Sequence, residues 1–479
     1  MPEITDLTAV ETAEAIRAGH TTSESVVAAH LERIRRLNER LNALVLVDHR
    51  GALAAARDRD ASLATSRSPG PLHGVPVTVK DCFATAGLRT TAGSRQFADH
   101  VPERDATVVA RLRAAGAVVL GKTNLPRLAM DLQTENRLFG LTCNPWDTAR
   151  TPGGSTGGGA AAVAARMSPM ELGSDVGGSI RQPAHFCGLY GLKPTEGRVP
   201  TTGYLPAWLP GYKTERCMET PGVLARSPAD LRVALEVLAG PDGLDIDVPP
   251  VPIAPATARD PADLRLLYAD EFGDVPVAAE VRAVLDRAVE RLAAAGCVVE
   301  RADASGFDFA DAWRVWAELL AVLTRAWQPP AEKRKLLELR GTDDPFLLHL
   351  VRAAKTDAAG VFETLGRRDA VVAGLEQYLD GCDGLLCPAA CTVAFGHRDW
   401  TEGMEVDGTV FPYWQAGTAY TAPFSVSGQP VVVVPAGLSG EGLPVGLQLV
   451  GKRWSEPELL AVAEAVAAVL GPPEAPPDV

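Results

Sequence analysis

A chain of 479 residues with 46% hydrophobic and 22% charged side chains has a globular composition, which excludes a disordered or fibrous protein. A formal net charge of −14 repels phosphate backbones and leaves no basic patch for nucleic acid or anionic lipid, so neither is expected as a partner. Length alone admits about three domains or one large α/β domain.

Residues 7–19 read as a short helix, because Thr8 and Glu11 have capping-box spacing and Gly19 can terminate it. A second helix follows, capped by Thr21 with Glu24, whose Val27, Leu31, Ile34 and Leu37 recur at helical spacing. Together they form a helical packing arm over residues 1–65. Strand and helix patterns then alternate: Val75 to Val79, an amphipathic stretch from Ala106 to Ala115, and Val118 to Leu120. That order belongs to an α/β sheet. Residues 152–198 are rich in Gly and Ala, and Gly157, Gly158 and Gly159 lead into a helix able to pack very close to its neighbours. This part completes a catalytic core over 66–240.

From about 241 to 263 a Pro- and Asp-rich run marks a surface connection. The stretch 241–380 is expected to be helix-rich and variable, with Val281, Leu285, Val289 and Leu292 at helical period. Strand character returns at Val431 to Val434 and Val445 to Val450, so that 381–470 closes the sheet, and 471–479 forms a flexible tail. The eight cysteines lack paired C-x-x-C spacing and are expected to be free thiols in a reducing cytoplasm. The start, MPEITDLTAV, does not read as a secretory signal, and no apolar run reaches the ~18 residues of a membrane span.

Three motifs carry the chemistry: GVPVTVKD ending at Asp81, PGGSTGGGAAA starting at Pro152, and GSDVGGSIRQPA starting at Gly173. Cleaving an amide needs an activated nucleophile, a proton route to the leaving nitrogen, and donors aimed at the developing oxyanion. Ser179 is the candidate nucleophile, and Gly177 and Gly178 can turn consecutive N–H groups toward one point. Histidine is the usual base, but only His185 lies within ten residues of Ser179. It reads as a satisfied core residue. A lysine can serve instead. At its ordinary pKa only about one lysine in 2,500 is neutral at pH 7, so Lys80 has to be lowered by burial or by a nearby cation. Ser155 then passes the proton from Ser179 to Lys80.

These motifs resemble the amidase signature family, closely over residues 71–200 and again through PFSVSGQPVVVVPAGL. The resemblance places the nucleophile on Ser179, the relay serine on Ser155 and the base on Lys80, with spacings of 24 and 75 residues. It also implies a cis peptide before Ser155 and oxyanion donors on the backbone of Val176, Gly177, Gly178 and Ser179. The implied fold is α/β, one large domain with a central mixed twisted β-sheet covered by helices on both faces. The implied activity is hydrolysis of a small-molecule amide, ester or carbamate through an acyl-enzyme, with no metal or organic cofactor. Met130, Gly154, Trp208 and residues between 310 and 420 are candidates for the substrate pocket. Gln182 is unusual beside the nucleophile and is a candidate for substrate contact, whereas Asp175 and Arg181 are expected to brace the loop.

A G-x-S-x-G elbow around Ser155 is disfavoured, since NPWDTARTP before it is turn-forming rather than a strand. A phosphate loop lacks its Gly-Lys-Ser/Thr ending. The serious rival keeps the same residues and makes the chain the glutamine-hydrolysing component of a tRNA-dependent amidotransferase. QTENRLFGLTCNPWD and GLPVGLQLVG resemble free-standing amidases more. Monomer and homodimer are both left open.

Overall fold

The structure, a computed structural model, describes residues 3–63, 65, 69–205, 208–209, 212–213, 216–303, 305–325, 334, 336–339 and 341–477. Eleven strands form one mixed sheet. In chain order they are β1 (Leu44–Val47), β2 (Pro76–Lys80), β3 (Val118–Thr123), β4 (Met170–Asp175), β5 (Tyr190–Lys193), β6 (Thr220–Ala225), β7 (Arg265–Tyr268), β8 (Val298–Arg301), β9 (Gly384–Pro388), β10 (Val431–Leu438) and β11 (Pro444–Val450). Across the sheet the order is β1-β3-β2-β4-β6-β5-β10-β11-β9-β7-β8.

Helices cover this sheet, which is why its central strands read as unbroken apolar runs rather than alternating ones. Val431, Val432, Val433 and Val434 are all buried. The helix Gly157–Ala164 is buried along its whole length. A Cβ added at Gly158 would come within 2.5 Å of the Asn124 main chain, and one at Gly159 within 2.3 Å of the Glu171 side chain. Glycine is therefore what permits that close approach.

At the N-terminus the helix Ala9–Arg17 starts with the expected box, the Thr8 and Glu11 side chains each bonding the other's amide. The next helix, Ser23–Leu41, is capped one residue later than its sequence suggests: Thr22, not Thr21, accepts from the Ser25 amide. Val27, Leu31 and Ile34 bury its apolar stripe against Val118, Leu120, Ala161 and Ala162. The 241–380 stretch is helical over Ala279–Ala294, Phe309–Arg325, Pro345–Ala353 and Ala358–Tyr378, but it also contributes two sheet strands, β7 and β8. The second of these, β8, is largely solvent-facing and lies at the sheet edge, so it carries little apolar signal. Among the described residues no helix is long and apolar enough to cross a membrane.

Candidate active site

Strands β2 and β4 run parallel and adjacent, with Thr78 opposite Glu171 and Val79 opposite Leu172. Parallel neighbours finish at the same edge of a sheet. The last residue of β2 is Lys80 and the last of β4 is Asp175, so the lysine and the 176–179 loop emerge side by side. Ser155 reaches the same place from the turn before the helix Gly157–Ala164. The Gly154–Ser155 peptide is cis.

Lys80 is fully buried, and its Nζ donates to Ser155 Oγ at 2.8 Å, Ser174 Oγ at 3.0 Å and the Ser174 carbonyl at 3.4 Å. All three acceptors are neutral. The neighbouring carboxylate, Asp81, turns the other way, accepting from the Thr91 amide and hydroxyl at 3.0 and 2.5 Å and facing Lys122 at 3.9 Å. With no carboxylate in contact among the described residues, burial dominates and holds the Lys80 pKa below the ordinary lysine value. Ser174 extends the network by donating to the Tyr204 hydroxyl at 3.3 Å.

The loop after β4 is held from both sides. Asp175 forms a buried pair with Arg181, at 2.8 Å to Nη2 and 3.0 Å to Nε, and accepts from the amides of Gly178 at 2.8 Å and Ile180 at 3.0 Å. Although burial works against it, this cluster of donors, chiefly the Arg181 charge, holds the Asp175 carboxyl well below the usual range. On the opposite side the carbonyls of Val176, Gly177 and Gly178 accept from Trp316 Nε1 at 3.1 Å, Thr421 Oγ1 at 2.6 Å and the Gln182 amide at 2.8 Å. In a trans peptide the N–H points away from the C=O. Fixing those three carbonyls therefore aims the amides of Gly177, Gly178 and Ser179 in defined directions. The Gly178 amide is taken by Asp175, so of the four expected donors it is the one already engaged. Those of Gly177 and Ser179 carry no hydrogen bond among the described residues, and both residues line a cavity.

That cavity is bordered by Ser155, Ser174, Val176 and Tyr204 and by Met130, Asp131, Trp316 and Trp414. Ser179 is half-buried at its wall, and its hydroxyl makes no hydrogen bond among the described residues. The Lys80–Ser155 link is thus formed in the structure, while a Ser155–Ser179 link is not. The two serine segments nevertheless touch, the Thr156 amide donating to the Ser179 carbonyl at 3.1 Å.

Of the other expected pocket residues, Met130 lines the cavity. Gly154 does not; it packs on the main chain of Asp131 and Gln133, where an added Cβ would approach within 2.8 Å. Trp208 falls in a two-residue strand, and its side chain lies outside the described residues. Gln182 is buried and donates to the Gly417 carbonyl at 3.2 Å. His185 is a satisfied core residue, its ring nitrogens 3.2 and 3.1 Å from the carbonyls of Gly446 and Thr392. Burial lowers its pKa to about 4. Sequence reasoning misses Ser174, Tyr204 and Asp131. Ser174 lies inside one of the three motifs, but Tyr204 and Asp131 carry no local pattern. Trp316 and Trp414 fall within the broad 310–420 region without being individually legible.

The sheet thus delivers a buried lysine to a serine beside a glycine loop. Residues 25–460 match the Amidase family, and the chain belongs to that family and is an amide-cleaving hydrolase. It is 36% identical, over 98% of its own length and 99% of the relative's, to the A component of the glutamyl-tRNA(Gln) amidotransferase of Salinispora tropica. Among solved structures it resembles a vestigial protein complex related to an s-triazine catabolic enzyme, with 30% identity, TM-score 0.83 and coverage of 98% of this chain and 100% of that one. It also resembles an amidase with 30% identity, TM-score 0.80 and coverage of 97% and 100%.

Proposed function

We propose that the chain hydrolyses small-molecule carboxylic amides by way of an acyl-enzyme on Ser179, with Ser155 as the proton relay and Lys80 as the base. The observation that carries this reading is the 2.8 Å contact to Ser155 Oγ from a buried Lys80 that has no carboxylate partner among the described residues. Neutral Lys80 draws a proton through Ser155 from Ser179, whose Oγ forms a bond to the carbonyl carbon. The oxyanion is met by the amides of Gly177 and Ser179, with Val176 beside them. The C–N bond breaks as the nitrogen takes the proton back along the same route. Water, deprotonated by the same relay, then cleaves the acyl–oxygen bond and restores Ser179. This chemistry asks for no metal or organic cofactor. A cytoplasmic enzyme is proposed, supported by eight unpaired cysteines.

Turnover of simple amides by purified wild type and Ser179→Ala tests the reading. Activity is expected in the first and none in the second, and wild-type rates in Ser179→Ala overturn it. The amidotransferase reading is favoured by the 36% identity to the Salinispora tropica relative. A preference for glutamine over simple amides, emerging only with a partner protein, would decide for it.

A further inference from the structure

The cavity wall has a charge character that its catalytic chemistry does not require. Asp131 and Glu219 both border it, and among the described lining residues none is Lys, Arg or His. Lys80, beneath it, is buried and turned toward hydroxyls. The Asp131 carboxyl is locked in place, Oδ1 accepting from the Tyr413 hydroxyl at 2.6 Å and the Leu132 amide at 2.7 Å. Tyr413 is itself fully buried and accepts from Gln133 Nε2 at 3.0 Å. A carboxyl held this firmly at a pocket wall is an oriented acceptor. In the same cavity, Tyr204, Trp316 and Trp414 offer aromatic surface, which attracts cations and tolerates neutral apolar groups.

We propose that this cavity selects its amide by charge: substrates bearing an ammonium or a neutral apolar group are accepted, and those bearing a carboxylate are rejected, with Asp131 the specificity-determining residue. The inference rests on the relay reading above and narrows its substrate class. A carboxylate entering the cavity would be desolvated beside the Asp131 carboxyl with no cation on the described wall to pair with, an arrangement that costs far more than it returns. An ammonium gains a charge-assisted hydrogen bond and an aromatic face at once. Free glutamine, which carries an α-carboxylate, falls in the rejected class.

The test is a set of 4-nitroanilides whose acyl chains have equal length and end in an ammonium, a methyl or a carboxylate. A second set varies the same three groups on the leaving amine, and glutamine is assayed beside both. In wild type, kcat/KM for the ammonium substrate is expected to exceed that for the carboxylate by at least about tenfold in one set, the scale of one charge-assisted contact. Asp131→Asn, nearly isosteric, is expected to shrink that ratio at least about fivefold. Equal or faster turnover of the carboxylate substrates or glutamine by wild type overturns the proposal and needs no variant. An unchanged ratio in folded Asp131→Asn overturns the role of that residue. Ser179→Ala separates the two levels: turnover that survives it defeats the relay, whereas turnover that depends on Ser179 but shows no charge ranking defeats charge selection alone.

Discussion

Replacing Lys80 by Met keeps the length and most of the volume of the side chain while removing the amine. The structure sets two opposite consequences. The proton acceptor for Ser155 disappears, and general-base contributions of about 10²–10⁴ predict a loss of at least about 100-fold in kcat/KM, or about 2.7 kcal/mol of transition-state stabilisation. Stability responds differently. Three hydrogen bonds from Nζ vanish, leaving the Ser155 and Ser174 hydroxyls each short of a donor at about 1 kcal/mol apiece. Against that, the variant no longer has to bury an amine whose pKa the fold lowers.

The pH dependence isolates this second effect. A lysine whose folded pKa is depressed penalises the fold fully below that folded value, and the penalty fades as pH rises toward the ordinary value of 10.5. Within that window the unfolded chain binds one more proton than the folded one, so wild-type stability should climb relative to Lys80→Met by up to about 1.4 kcal/mol per pH unit. Urea denaturation of both proteins at pH 7, 8 and 9, beside kcat/KM on a simple amide, measures both quantities. A stability difference that is flat across that range, or a variant within a few-fold of wild-type turnover, refutes a neutral catalytic Lys80.

Glu171 is buried behind Lys80, and burial pushes its pKa up to about 7 from 4.5. The sign is that of a raised acid: the cost is absent below about pH 4.5 and complete above about 7, on the order of 3 kcal/mol. Glu171→Gln should therefore be more stable than wild type at pH 8 and gain little at pH 5, as thermal melts at the two pH values will show. Trp316→Phe removes the 3.1 Å bond to the Val176 carbonyl and so frees the peptide that aims the Gly177 amide; a fall of about tenfold in kcat, larger than any change in KM, is expected from steady-state kinetics. Asp175→Ala leaves Arg181 as an unpaired buried cation and the amides of Gly178, Ile180 and Arg181 without their acceptor, which should cost about 3–5 kcal/mol in chemical denaturation.

Much of this site is legible in the sequence because its parts are local. Lys80 ends a run of β-branched residues, Ser155 sits in a Gly-Ser turn and Ser179 follows two glycines, and each pattern is set by backbone conformations that only certain residues adopt. The capping box at Thr8 is readable for the same reason. The cap at Thr22 reads one residue early because Thr21 and Thr22 offer the same chemistry. Strand β8 leaves no such trace, since an exposed edge strand buries too little to imprint a pattern.

What the chain could not announce is what arrives from far away along it. Trp316 and Thr421 hold the carbonyls of Val176 and Gly177 across 140 and 244 residues, and Tyr413 orients Asp131 across 282. Contacts of that span depend on which strands become neighbours in the sheet, and hydrophobic periodicity does not encode it. The sequence by itself determined which side chains are candidates for the reaction. Tertiary packing decided that Lys80 is buried and has no carboxylate partner among the described residues, that the Gly178 amide is bonded to Asp175 while those of Gly177 and Ser179 carry no hydrogen bond among the described residues, and that the described cavity wall is acidic and aromatic, because desolvation and hydrogen-bond direction exist only once distant segments have closed around the same point.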